Sequence, residues 1–196
     1  MSNGWMILEK GNAMRRVRAA KWVAMACVAV MAAGCSNELK PTNAKLEVGL
    51  NRYFDSHQEC LYPQGKMFPY EVSPGREAKA EEQRMDALKA AGLLVELKDL
   101  DLHVERYTLT AMGQRVAPRF CYGHKVVTSI DGFTPPEKDG KILKTTVSYH
   151  AKMADVPVWA QTEELMKAYP EMGKAISGAQ PGQIVMATAG IGWSVR

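Results

Sequence analysis

A chain of 196 residues, 46% hydrophobic and 23% charged, is long enough for one domain with a buried core. It is too apolar for wholesale disorder and too polar for a polytopic membrane protein. The formal net charge of +4 sits in residues 1–34, where Lys10, Arg15, Arg16, Arg18 and Lys21 face a single acid, Glu9; from Cys35 onward acids and bases balance.

The chain opens with a three-part leader. Arg15, Arg16, Arg18 and Lys21 form a positive region, Trp22 to Ala33 is an uncharged and mostly apolar run, and the small residues Ala32, Ala33 and Gly34 follow. The run is about twelve residues, short of the roughly 20 needed to span a bilayer. Ala32-Ala33-Gly34-Cys35 resembles the lipobox of bacterial lipoprotein precursors over residues 14–35, with Ala32 where leucine is commonest. The resemblance implies that residues 1–34 are a signal peptide cleaved before Cys35. It further implies that Cys35 carries acyl chains and that the body faces the periplasm, anchored to the membrane through this lipid. Ser36, where aspartate would favour retention at the inner membrane, favours the outer membrane by the same resemblance. Residues 1–13 fit a signal peptide poorly, so the start is expected at Met14. An ordinary signal peptide cleaved after the small residues is the competing reading.

Residues 35–43, with Pro41, read as a tether, and 44–196 as a single compact α+β domain. Leu46, Leu50, Tyr53 and Phe54 recur at helical spacing behind Thr42 as a cap. A loop rich in Pro, Gly and aromatics runs from Leu61 to Ser73. Ser73-Pro74 then starts a second helix over about 75–91, with Met85 and Leu88 on one face and Gly92 at its end. Leu93 to Lys98 and His103 to Leu109 read as strands joined by the acidic loop Asp99-Leu100-Asp101, and Thr110 and Gly113 punctuate the exit. Met85 to Leu94, followed by Tyr107-Thr108-Leu109-Thr110-Ala111-Met112-Gly113, resembles the recognition helix and wing of a winged-helix domain over about thirty residues. The resemblance implies a winged-helix-like N-terminal half. A nucleic-acid partner would need a basic footprint. Here Arg76, Lys79, Arg84 and Lys89 are matched by Glu77, Glu81, Glu82 and Asp86, so none is expected.

In the C-terminal half Arg119 to Ile130 and Lys141 to Met153 read as strands, the second placing Val147, Tyr149, Ala151 and Met153 on one face. Asp131-Gly132 and Pro135 to Gly140 supply an extended turn between them. A helix starts near Trp159, carries Leu165, Met166 and Tyr169, and is interrupted by Pro170. Gln183 to Val195 closes as a strand, giving a small antiparallel β-β-α-β sheet with a packed helix.

Of four cysteines, Cys27 falls in the leader and Cys35 takes the lipid. Cys60 and Cys121 are left as a disulfide pair in an oxidising compartment. The sharper alternative is a tetrahedral metal site from His57, Cys60, Cys121 and His124, spaced H-x2-C and C-x2-H; free thiols are the third possibility.

No catalytic residues or cofactor site emerge. His57, His103, His124 and His150 are scattered, Glu81-Glu82 and Glu163-Glu164 lie on charged helix faces, and Gly190-Ile191-Gly192 lacks the rest of a phosphate loop. Tyr62, Phe68, Tyr70 and Trp159 could line a cleft for sugar or peptide but fit core positions better. Met85, Met153, Met166 and Met172 fit as gap-fillers. The leading expectation is a non-enzymatic, membrane-anchored lipoprotein with an envelope protein as partner. A binder of a small ligand or peptidoglycan fragment comes second, and an enzyme whose residues meet only in three dimensions third.

Overall fold

The computed structural model describes residues 39–196 apart from Pro74, Arg76, Glu77 and residues 100–103. The leader, Cys35, Ser36, His103 and most of the expected acidic loop lie outside the described residues. Pro41–Arg196 forms one compact unit, of the α+β class. Among the described residues no helix is long and apolar enough to cross a membrane.

Helix α1 (Asn43–Asp55) begins where the Thr42 hydroxyl accepts from the Lys45 amide at 3.3 Å, which satisfies one of the donors left over at a helix start. Leu46, Leu50 and Phe54, four residues apart, make one buried face. That face meets a sheet made by the far end of the chain. Strands β4 (His124–Phe133), β6 (Ile142–Ala154), β7 (Gln180–Thr188) and β8 (Ser194–Val195) lie in the antiparallel order β4-β6-β7-β8, with β5 (Glu137–Asp139) also pairing β6. Val127, Val147, Tyr149, Ala151, Met186 and Trp193 complete this first core. Where β4 shifts register after Val127, the Val127 amide donates to the Asn51 side chain of α1 at 2.9 Å.

The second core belongs to the middle of the chain. Strand β1 (Tyr70–Val72), helix α2 (Lys79–Ala90), strands β2 (Leu94–Asp99) and β3 (Val104–Leu109) and helix α3 (Ala111–Val116) follow in order, the strands forming an antiparallel β1-β3-β2 sheet. This is the helix-then-hairpin order expected of the N-terminal half. Gly92, with φ of 77°, ends α2 in the left-handed geometry that glycine adopts without penalty. The Thr110 hydroxyl caps α3 by accepting from the Gly113 amide at 3.0 Å and donates to the Gly92 carbonyl at 2.7 Å. Met85, Leu88, Leu93, Tyr107 and Phe120 are fully buried here.

A 3-10 turn (Val158–Gln161) and helices α4 (Glu163–Ala168) and α5 (Pro170–Ile176) connect β6 to β7. They give the β-β-α-β order. Their Trp159, Leu165 and Met172 pack into the second core, while the helix covering the sheet's apolar face is α1. Pro170 does not simply end a helix: it opens α5 from its first turn, where its missing N–H costs no bond. The expected strand from Gln183 to Val195 is a hairpin, turned at Gly190 and Gly192 with φ of 113° and 72°. Residues 117–123 precede β4 as a turn, with Phe120 at φ 52°, so the strand starts five residues later than its sequence suggests.

Candidate functional site

Two turns face one another where the cores meet. The Glu59 amide donates to the Gly123 carbonyl and the Tyr122 amide to the Glu59 carbonyl, both at 2.8 Å, while the Leu61 amide reaches Phe120 at 3.1 Å. Between these bonds Cys60 and Cys121 form a disulfide. The four-ligand metal alternative is thereby overturned, because both sulfurs are bonded to each other and neither is a thiolate. Its histidines are engaged elsewhere. His57 stacks on Tyr53 at 3.9 Å, with Nδ1 2.7 Å from the Tyr53 carbonyl, closing the end of α1. His124 lies 3.5 Å from both Asp55 and Asp155.

Beside this seam lies a cleft of about 360 Å³, within the size range of small-ligand sites. One wall comes from the first core: Lys125 of β4, Tyr149 of β6 and residues 180–183 opening β7. The other comes from Glu59, Tyr122 and one side of α5. Glu59 and Lys125 form an ion pair at 2.6 Å. Tyr122 and Tyr149 have buried rings, and burial pushes the Tyr122 phenol up to about 12 and raises that of Tyr149. Both are therefore protonated donors at neutral pH. Gly182 sits opposite Tyr149 in the β6–β7 register, and a Cβ there would lie 2.5 Å from the ring. Only glycine leaves the phenol its place.

The aromatic loop is not part of this cleft. The Tyr62 and Tyr169 hydroxyls bond at 2.6 Å, Phe68 packs on Phe120, and Trp159 is buried. They pack in or against the second core, the placement the sequence favoured for them over a ligand cleft. Lys66 spans the Tyr70 ring at 3.5 Å and the Glu81 carboxylate at 2.6 Å.

Burial raises the phenols of Tyr62, Tyr107, Tyr122, Tyr149 and Tyr169 above the ordinary 10.0. The unfolded chain then releases its phenolic protons first, so this stabilisation is whole below pH 10 and is lost as pH climbs toward about 12. An ultraviolet titration should show these five phenols ionising together with loss of the circular dichroism signal. Ionisation in the folded state near the ordinary value would contradict the burial.

Two further polar clusters were not foreseen. Beside the β2–β3 hairpin, Lys89 joins Asp86 and Glu96, Lys98 joins Glu96 and Glu105, and the Tyr107 hydroxyl donates to Glu105 at 3.1 Å. On the outer face of the β4-β6-β7-β8 sheet, His150 pairs with Asp131 at 2.7 Å, and Ser129 donates to the same carboxylate at 3.0 Å. That hydroxyl gives its proton to Asp131 rather than to the imidazole, so the three do not form a nucleophile–base pair. A second cavity, of about 410 Å³, lies between α2 and α4 and is edged by the exposed Gln83, Glu164 and Lys167.

The fold and site thus define an α+β protein with two cores, a disulfide seam and a polar cleft beside it. Comparison with protein families, with curated proteins and with solved structures gave no match to this chain.

Proposed function

We propose that the chain is an exported lipoprotein, cleaved before Cys35, lipidated there and displayed on the periplasmic side of the membrane, with the outer membrane favoured. Its body serves as a non-enzymatic binding domain for an envelope partner. The disulfide between Cys60 and Cys121 carries this reading, since such bonds persist in oxidising compartments. The leader and the lipobox-like residues 32–35 support it. So does the edge strand β2, which turns Val95 and Leu97 outward at 48% and 58% exposure, a feature suited to contact with another protein. Nucleic acid is not the partner proposed: Arg84 and Lys89 are matched by Glu81, Asp86 and Glu96.

Replacing Cys35 by serine should abolish acylation, read by mass as an N-terminal region without added lipid, while leaving the melting temperature of the folded body unchanged. A wild-type N-terminus that carries no lipid mass would refute the lipid anchor. Binding of a small ligand is the second reading, favoured by the cleft beside the disulfide.

A further inference from the structure

The cleft selects its ligand by charge and by donors. Its four charged side chains cancel, Glu59 and Glu171 against Lys125 and Lys174. An ion of one sign therefore gains little net attraction there. Glu59 and Lys125 already satisfy each other at 2.6 Å. Glu171 and Lys174, three residues apart on α5, are exposed and make no ion pair among the described residues. They leave one free acid and one free base on the same rim.

Tyr122 and Tyr149 are each 7% exposed. Neither phenol has a protein hydrogen-bond partner among the described residues, and neither hydroxyl is sealed from solvent. A polar group on a ring that deeply buried ordinarily finds a partner, and here water or a ligand in the cleft can supply it. The rings form the wall with their faces packed into the protein, which leaves little aromatic surface for a sugar to stack on.

We propose that this cleft binds a short zwitterionic peptide, a molecule with one free amine and one free carboxylate, its acceptor oxygens taken by the two phenols and its end charges matched by Glu171 and Lys174. The proposal rests on the small-ligand reading above, and it names the ligand class for that cleft.

Alanyl-alanine titrated calorimetrically into the full-length, detergent-extracted protein tests it, beside the same dipeptide acetylated and amidated, glucose and inorganic phosphate. The free dipeptide should bind saturably. Capping its ends, or replacing both phenols (Y122F with Y149F), should weaken binding by at least about tenfold, the usual worth of a hydrogen bond to a charged group. The rim variant E171Q with K174Q changes only exposed side chains, and it should weaken the free dipeptide while leaving the capped one unaltered. Equal affinity for free and capped dipeptide, preference for glucose or phosphate, no saturable binding, or indifference to both variants would overturn the proposal. Acylation of Cys35 read by mass on the same preparation separates the outcomes, since binding without acylation would sink the anchor and spare the cleft.

Discussion

Replacing Cys60 and Cys121 together by serine lowers the unfolding free energy by about 4 kcal/mol, in the chain-entropy treatment of a closed loop of this size. The bond spans 61 residues of sequence, and releasing it returns that loop's freedom to the unfolded chain. The folded side changes less, because the Glu59, Leu61 and Tyr122 amides keep their backbone bonds across the seam. At about 2–4 °C per kcal/mol for a body of this length, the melting temperature should fall by roughly 8–16 °C. Thermal melts with and without reductant check this, and the serine variant should not respond to reductant. An unchanged melting temperature would mean that the seam holds without the bond.

Gly49→Ala should cost about 2 kcal/mol, against the trend for a glycine inside a helix. Helix propensity alone would favour alanine by about 1 kcal/mol. A Cβ at this position, however, would lie 2.2 Å from the Trp193 carbonyl oxygen and 2.6 Å from Met186 Cε. The methionine can swing away; the carbonyl is backbone and can retreat only by carrying β8 off the helix. Overpacking of that kind costs about 3 kcal/mol, which outweighs the gain. Gly178→Ala, with nothing within 4 Å of the added carbon, serves as the control and should be near neutral. Urea midpoints for the two variants decide the matter, and an equal or higher midpoint for Gly49→Ala would show that α1 does not approach the β7–β8 hairpin this closely.

That contact also shows where sequence reasoning stopped. The apolar face of α1 was legible from Leu46, Leu50 and Phe54, and its start from Thr42, because both signals are local. What covers the face was not, since periodicity marks a buried side without naming its partner. The partner is a sheet that begins at residue 124. Likewise Val147, Tyr149 and Ala151 were legible as one buried face, whereas Met153, on the same stripe, packs against the other core. The hairpin of β7 and β8 was hidden because Gly190 and Gly192 read as an isolated pair of glycines inside an apolar run.

The disulfide could be reached by counting cysteines, a signal independent of the fold. The cleft could not. Tyr122, Tyr149, Glu171 and Gly182 come from four separated segments, and each alone reads as a core ring, a charged helix face or a strand glycine. The β6–β7 register sets Gly182 against Tyr149, and the turn at the disulfide and α5 bring Tyr122 and Glu171 to the same cleft.

The proposed lipid anchor and the disulfide are tested together by a mass spectrum of the protein from the membrane fraction of its native host, digested without reduction. Expected are an N-terminal peptide beginning at an acylated Cys35 and a crosslinked pair containing Cys60 and Cys121. An intact leader, or free thiols at both positions, would contradict this expectation.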